Sequence, residues 1–251
     1  MAQKEWFATW FDSPYYHLLY QHRDDNEAQQ FLDHLIEKLA LASHAQVLDL
    51  ACGKGRHSIT LAQRGFTVVG ADLAANSIAA AELNRVALAL ENLNFLVHDM
   101  RKPLEGQQFD AIFNLFTSFG YFDTLEENQA VCKSIAQMLI PEGILVIDFL
   151  NAHKVAKNLK PSEVISRDGA QFNIERWHDQ KHIFKQIEVL DTIQNTVIGT
   201  FTERVQALSL SNFETLLAPY FEIQATYGSY ALDAFNEQDS DRLIIIAKKR
   251  P

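Results

Sequence analysis

The fold of this protein is decided by the stretch Val47-Leu48-Asp49-Leu50-Ala51-Cys52-Gly53-Lys54-Gly55-Arg56. Its first half is a short apolar run typical of a buried strand, and the two glycines that follow it precede a helical segment at 56–64. Glycine has no Cβ, so both positions permit a positive φ and let a ligand lie against the backbone. We therefore predict a strand, a tight binding loop at Gly53 and Gly55, and a helix.

The same alternation of strand and helix continues outward from this unit. Short apolar runs predict strands at 45–50, 66–71, 93–97, 109–114, 144–149, 221–226 and 243–248, with a turn at 141–143. Helical spacing of apolar residues predicts helices at 26–41, 56–64, 74–90, 126–139 and 209–217. Near-continuous apolar strands are typical of a parallel sheet that is covered on both faces. We predict an α/β fold: an open seven-stranded, mostly parallel sheet with helices on both faces.

The segment 163–202 has a different pattern. Its runs at 172–177, 183–189 and 196–201 alternate apolar and polar residues, which is typical of antiparallel strands that are wet on one face. We predict a small antiparallel meander at 156–206, inserted into an α/β domain formed by 1–155 and 207–251. The first 25 residues or so precede the sheet and are expected to form a lid.

Three acidic residues lie in or shortly after the first three predicted strands. Asp49 lies inside the first strand, Asp72 ends the second and Asp99 follows the third. In an open α/β sheet, ligands bind at the carboxyl ends of the strands, so the three side chains are expected on one rim. Such a rim suits a ligand with a ribose, an adenine and an amine. The alternative is that all three acids are helix caps or solvated strand ends.

Composition excludes several classes of partner. Of the 251 residues, 47% are hydrophobic, and 22 Lys and Arg against 32 Asp and Glu give a formal net charge of −10, which repels nucleic acid at long range. No run approaches ~18 apolar residues, so we expect no membrane span and a cytoplasmic location. Cys52 and Cys132 cannot form a disulfide framework, and Cys52 is interpreted as a packing residue. The histidines lack metal-ligand spacing, so we predict no metal site.

The glycine-rich stretch resembles the motif of class I S-adenosylmethionine-dependent methyltransferases. The segment 98–101 resembles the part of that family that flanks adenine, 109–116 its fourth-strand motif and 139–145 its turn before the fifth strand. The resemblance implies S-adenosyl-L-methionine as cofactor and S-adenosyl-L-homocysteine as product. The implied cofactor-binding residues in the sheet domain are Asp49, Ala51, Gly53, Gly55, Asp72, Leu73, Asp99, Met100, Asn114, Leu115 and Phe116.

A finer resemblance connects the sequence to small-molecule N-methyltransferases of the glycine and amino-sugar types. It rests on Phe116-Thr117-Ser118-Phe119-Gly120-Tyr121 and on the N-terminal stretch from Tyr15 to Arg23. It implies that Arg23 holds the methionine carboxylate, that Tyr16 closes over the site and that the meander covers the acceptor. Amino-sugar enzymes have a catalytic histidine where this chain has Tyr121. Our candidate catalytic residues are Tyr121, Tyr16 and His22, with Asn151 also expected at the mouth.

Two other functions remain open from the sequence. An NAD(P)-binding oxidoreductase also uses a glycine-rich turn and an acid after the second strand, but its fingerprint needs a third glycine where this chain has Ser58. A non-catalytic cofactor-binding module would keep the fold without turnover. For the enzyme we expect a small-molecule acceptor, and no sequence signal identifies the atom methylated or an oligomeric state.

Overall fold

The computed structural model describes residues 5–21, 25–194 and 196–251. Its helices are α1 Trp6–Trp10, α2 Pro14–Leu19, α3 Asp25–Leu39, α4 Arg56–Gln63, α5 Ala75–Ala87, α6 Leu125–Met138, α7 Ala152–Lys157 and α8 Leu210–Leu217. Its strands are β1 Gln46–Leu50, β2 Thr67–Asp72, β3 Leu93–Val97, β4 Phe109–Asn114, β5 Leu139–Leu150, β6 Ser162–Arg167, β7 Ala170–His178, β8 His182–Asp191, β9 Thr196–Gln206, β10 Phe221–Tyr227 and β11 Arg242–Lys249.

The main sheet has seven strands in the order β10-β11-β5-β4-β1-β2-β3. The strands from β1 to β5 pair with one another in parallel, whereas β11 runs antiparallel to both β5 and β10. The predicted fold class is therefore confirmed. The order reverses between β1 and β4, and in such sheets the carboxyl ends of these strands open onto a ligand crevice.

Apolar burial on both faces explains why these strands lie inside. In β1, Val47 and Leu48 are fully buried, and β4 buries Ile112 and Phe113 equally. The helices cover the two faces with separate apolar clusters, and Leu35 of α3 belongs to one of them. Since both faces are dry, the strand sequences lack the alternation that a one-sided sheet would show.

The second sheet is an antiparallel meander in the order β6-β7-β8-β9. Its inner face packs against the N-terminal helices in a small cluster that contains Trp10, Leu19 and Phe172. The prediction of antiparallel strands in this region is confirmed, but the sequence analysis did not predict the strand β6. This strand contains only two large apolar residues, and Val164 is largely exposed, so its pattern is too weak to detect.

The predicted turn at 141–143 lies within a longer strand. β5 begins at Leu139, and its pairing with β4 skips from Leu139 opposite Phe109 to Ile144 opposite Ala111. Glu142 takes up the extra length at φ 66°. The predicted turn is therefore an irregularity within β5, and the hydrogen bonds between β4 and β5 resume after it.

Three sequence expectations concern membrane spans, metal ligands and cysteines. Within 5–21, 25–194 and 196–251, no helix is long and apolar enough to cross a membrane. The same ranges contain no cluster of three or more His, Cys, Asp or Glu side chains that would hold a metal ion. Cys52 and Cys132 are both free and buried.

Candidate functional site

The loop after β1 is bent at three alternate residues that have a positive φ. Ala51, Gly53 and Gly55 have φ values of 65°, 57° and 78°. The backbone N–H groups of Ala51 and Cys52 donate to the carbonyl of Ala71 at 2.7 and 3.1 Å, which fastens the loop to the end of β2. The predicted tight turn therefore places its backbone beside the neighbouring strand.

The two predicted glycines have different tasks. A Cβ on Gly55 would lie 2.3 Å from the ring of Phe95, so only glycine lets α4 begin this close to the sheet. A Cβ on Gly53 would meet nothing within 4 Å. Gly55 is thus required by packing, whereas Gly53 leaves open space in front of the loop.

Asp72 connects the loop to the start of α5. Its Oδ2 accepts from the backbone N–H of Gly53 at 2.8 Å, and its Oδ1 accepts from that of Ala74 at 2.8 Å. Burial raises the pKa of the Asp72 carboxyl, and these backbone donors only partly offset the effect. The carboxylate keeps further lone pairs for a hydroxyl donor.

Asp99 is held by Arg101. The Arg101 guanidinium donates to both Asp99 oxygens, and it also pairs with Glu5 at 2.8 Å and Glu127 at 2.7 Å. Burial acts to raise the pKa of Asp99, but the Arg101 contacts outweigh it and leave the pKa below its ordinary value. Arg101 thereby joins the N-terminal segment and α6 to the loop after β3.

Asp49 lies behind the loop. Its side chain is 1% exposed, and its Oδ2 accepts from Ser58 Oγ at 2.5 Å. Burial raises the pKa of Asp49 to about 6, with the nearby charge of Asp72 adding to the effect. The structure makes Asp49 a buried brace between β1 and α4, without direct access to the crevice.

A cavity of about 700 Å³ opens in front of the loop. Small-molecule sites fall in the range of roughly 300–1,000 Å³, so this cavity is large enough for a nucleoside ligand together with a second molecule. The residues predicted for the site that line it are Tyr16, Ala51, Gly53, Asp72, Leu73, Asp99, Met100, Leu115, Phe116 and Tyr121.

Some predicted residues do not reach this cavity. Asp49 and Gly55 lie behind the loop, and the fully buried Asn114 donates through Nδ2 to the carbonyl of Leu50 at 3.0 Å. Asn151 caps α7 and donates to the carbonyls of two C-terminal loop residues, so the expectation that it lies at the mouth is wrong. His22 and Arg23 lie outside the described residues.

Aromatic rings of the N-terminal helices form one wall. The Tyr16 ring lies 5.0 Å from that of Phe11, which in turn lies 5.2 Å from that of Tyr121. His17, which the sequence analysis did not single out, also lines the cavity, with Nε2 3.3 Å from Ser77 Oγ. Burial and the charge of Lys54 lower the pKa of His17 to about 4, so it is neutral near pH 7.

The turn after β4 contains a network that the sequence analysis missed. Phe116 and Thr117 have φ values of 63° and 60°, which are costly for residues with a Cβ, above all for a β-branched one. Asp148 holds the turn by accepting from the Phe116 N–H at 2.9 Å, and Arg242 donates to Asp148 at 2.7 Å and to Thr117 Oγ1 at 3.0 Å. An acid inside the apolar run 144–149 was the available signal.

A second missed group comes from the other sheet. Glu203 of β9 lines the cavity, and its Oε1 accepts from Trp10 Nε1 and from the Tyr20 hydroxyl, both at 2.8 Å. Lys185 of β8 contacts the same hydroxyl. These residues are far apart in the chain. Glu203 lies in a strand that alternates polar and apolar residues, where an acid is expected to face solvent, so the sequence did not indicate that it lines the cavity.

Cys52 also lines the cavity, but its environment argues against a nucleophile. Burial and then the charges of Asp49 and Asp72 raise the pKa of its thiol well above the ordinary value. A protonated thiol is a poor nucleophile. The interpretation of Cys52 as a packing residue is consistent with this position.

Comparison with known proteins gives the family. A family model described as a methyltransferase domain matches residues 41–195. The chain is 30% identical over 126 residues to a dTDP-3-amino-3,4,6-trideoxy-alpha-D-glucopyranose N,N-dimethyltransferase of Streptomyces venezuelae, covering 50% of this chain and 51% of that one. It is 34% identical over 119 residues to the glycine N-methyltransferase of Mus musculus, covering 42% and 40%. The chain thus spans about half the length of the curated relatives it matches.

Solved structures extend the similarity to almost the whole chain. An S-adenosylmethionine-dependent methyltransferase from Clostridium acetobutylicum superposes with a TM-score of 0.80 at 17% identity, covering 94% of this chain and 96% of that one. At that identity the likeness concerns the fold alone. Together with the family model, which covers more than half of the sequence, it supports one conclusion: the chain belongs to the methyltransferase domain family.

Proposed function

We propose that this protein is an S-adenosyl-L-methionine-dependent methyltransferase that acts on a small molecule. The proposal depends mainly on one observation. The Gly53 backbone N–H donates to the Asp72 carboxylate at 2.8 Å, and both residues line the same cavity of about 700 Å³. Family membership supports methyl transfer, and the relatives named above as glycine and amino-sugar methyltransferases make a small acceptor the natural choice.

The residues present fit the cofactor. Gly53 offers backbone without a Cβ at a point where the structure leaves open space, which suits a ligand lying against the loop. Asp72 would accept the ribose hydroxyls, and Asp99 with Met100 would flank the adenine. By resemblance, Arg23 and Tyr16 would hold and cover the methionine part.

The chain's own contribution to the reaction is mainly orientation and the exclusion of water. When bound, S-adenosyl-L-methionine supplies an electrophilic methyl group, and well-aligned reactants can lower a barrier by about 7–11 kcal/mol. Tyr16 and Tyr121 form an aromatic wall of the cavity on which an acceptor would be held. We propose that the unit 156–206 covers the acceptor, since Glu203 from that segment reaches the cavity.

The remaining partner expectations belong to the same proposal. The net charge of −10 favours a small acceptor over nucleic acid, and a cytoplasmic location fits an enzyme of this class. An NAD(P)-dependent activity finds less support, because the third glycine of that fingerprint is replaced by Ser58, whose hydroxyl is committed to Asp49.

Calorimetric titration with S-adenosylhomocysteine tests the proposal. We expect saturable one-to-one binding to the wild type, and we expect Asp72→Asn to weaken it by roughly 10- to 100-fold because a hydrogen bond to a charged acceptor is lost. The control is Asp33→Asn, which removes an equal charge from an exposed pair with Arg64 and should bind normally. Binding of NADH without binding of S-adenosylhomocysteine would overturn the proposal.

A further inference from the structure

The main sheet ends at β3, which pairs with β2 alone within the ranges that the structure describes. The backbone N–H of His98, directly after β3, donates to the carbonyl of Asp72 on β2 at 2.8 Å. Successive residues of a strand present their N–H and C=O groups to opposite sides in turn, so those of Leu93, Phe95 and Val97 point away from β2. β3 therefore offers an open row of backbone donors and acceptors.

An apolar flank of α5 lies beside this open edge. The helix packs against both β2 and β3. Ser77 and Asn84, seven residues apart on one side of the helix, line the cavity and therefore face the middle of the sheet. Helical geometry places Ala79, Leu83 and Val86 on the opposite side, toward the edge. All three are exposed, Leu83 by 72% and Val86 by 61%, so the flank has no cover from its own chain.

The strand at this edge carries no charge. β3 contains no charged residue, whereas the edge strands β6, β9 and β10 each contain at least one. Charged side chains on an edge strand are a common protection against pairing with another chain. Glu82 and Arg85, the two charged residues of α5, pair with each other at 2.6 Å, so the helix adds no net charge. The chain as a whole carries −10, so two copies repel each other least across this neutral strip.

We propose that this surface binds a second copy of the chain, with the two β3 strands antiparallel across a two-fold axis beside Phe95. The axis places Leu93 of each copy opposite Val97 of the other, so the open N–H and C=O groups of the two identical edges pair. Neighbouring strands lie about 4.8 Å apart and α5 covers the last two, so the two α5 helices lie about 10 Å apart, a normal packing distance. Each helix buries its Leu83 and Val86 flank against the other. This inference does not depend on the proposed function.

Sedimentation velocity of the full chain between about 2 and about 200 µM tests the proposal. One edge strand and one helix flank make an interface smaller than the ~800 Å² per partner of a standard complex, so we expect a dimer that dissociates on dilution. Leu83→Glu places like charges near each other across the two-fold axis and should weaken the dimer at least tenfold. The control Leu125→Glu makes the same change at a position of α6 that is 54% exposed, and it should leave the dimer within about twofold of the wild type.

A spin label on Leu83→Cys identifies the edge at which the copies meet, because the native Cys52 and Cys132 are buried. The two labels of a dimer should lie within about 30 Å of each other, since the α5 helices are neighbours. Labels on Glu222→Cys, in β10 at the opposite edge of the sheet, should lie about 60 Å apart, because the joined sheet separates them by about thirteen strand spacings.

The outcomes are decisive in each arm. A chain that stays monomeric at every concentration overturns the proposal, and so does a dimer that Leu83→Glu leaves intact or that Leu125→Glu weakens equally. If circular dichroism shows Leu83→Glu to be unfolded, the spin labels decide. A shorter distance from Leu83→Cys than from Glu222→Cys supports pairing at β3, and the reverse order overturns it.

Discussion

Replacing Gly55 and Gly53 by alanine separates the structural glycine of the loop from the one that faces the cavity. At Gly55 an added Cβ would lie 2.3 Å from Phe95 Cζ and 3.2 Å from the Ala81 Cβ, at φ 78°. At Gly53 the Cβ meets nothing within 4 Å, at φ 57°. Both alanines bear the cost of a left-handed backbone, but only the one at 55 must displace a buried ring.

The magnitudes follow from these two contributions. A left-handed conformation costs an alanine about 1–2 kcal/mol. Overpacking in a filled core adds about 1–3 kcal/mol, and Phe95 is 9% exposed within its cluster. Gly55→Ala should therefore lower the free energy of unfolding by about 2–5 kcal/mol and Gly53→Ala by about 1–2 kcal/mol. Because the Cβ at 53 enters the space assigned to the ligand, Gly53→Ala should weaken S-adenosylhomocysteine at least tenfold.

Urea denaturation followed by circular dichroism measures the stabilities, and calorimetry measures the affinities. Gly106→Ala is the control, since Gly106 has φ 74°, open space around its Cβ position and no place in the cavity lining. It should cost the same backbone energy as Gly53→Ala and leave binding intact. Equal destabilisation by the alanines at 53 and 55, or wild-type affinity in Gly53→Ala, would refute this account of the loop.

Three further predictions concern titratable groups that are partly or fully buried. The pKa of His17 is lowered from 6.5 to about 4, so its contribution to the free energy of unfolding is complete above pH 6.5 and is lost as the pH falls through 4. The urea midpoint of the wild type should therefore decrease as the pH is lowered across this range. The variant His17→Asn should lack that part of the decrease. Asp148→Asn leaves Arg242 without its carboxylate partner and should lower the free energy of unfolding by about 3–5 kcal/mol. The double variant with Arg242→Met should recover part of this loss of stability. A double variant less stable than Asp148→Asn would contradict the ion-pair explanation. Cys52 should not react with a disulfide reagent at pH 8 until the protein is unfolded, and rapid labelling of the native protein would show that its thiol is accessible.

The main sheet was predictable because its inner strands, such as β1, β4 and β11, are buried on both faces. The strand at 109–114 was predicted with both its ends, since an apolar run between polar residues is the whole signal that such a strand needs. β6 was missed because it lies at the edge of the meander and its side chains alternate between exposed and partly exposed. The apolar pattern of a strand reflects which of its side chains are buried, so a strand with few buried side chains has only a weak pattern.

The site was predictable where it depends on local backbone and not where it depends on distant pairing. Gly53 and Asp72 were identified because a turn after one strand and an acid at the end of the next must share a rim. The contact between Glu203 and Tyr20 joins residues 183 positions apart, and that between Arg242 and Asp148 spans 94. Such pairs are formed by the packing of one sheet or helix against another, which residue order does not encode locally.

The central claim is that the cavity in front of the Gly53 loop holds an adenosyl group. A crystal structure of the protein grown with S-adenosylhomocysteine tests it most directly. The account predicts density for the nucleoside between the Gly53 backbone and Asp72, with ribose hydroxyls within hydrogen-bond distance of the Asp72 carboxylate and the adenine beside Asp99. Density for the nucleoside at another place on the protein, or a cavity filled by a side chain while the compound is present in excess, would contradict it.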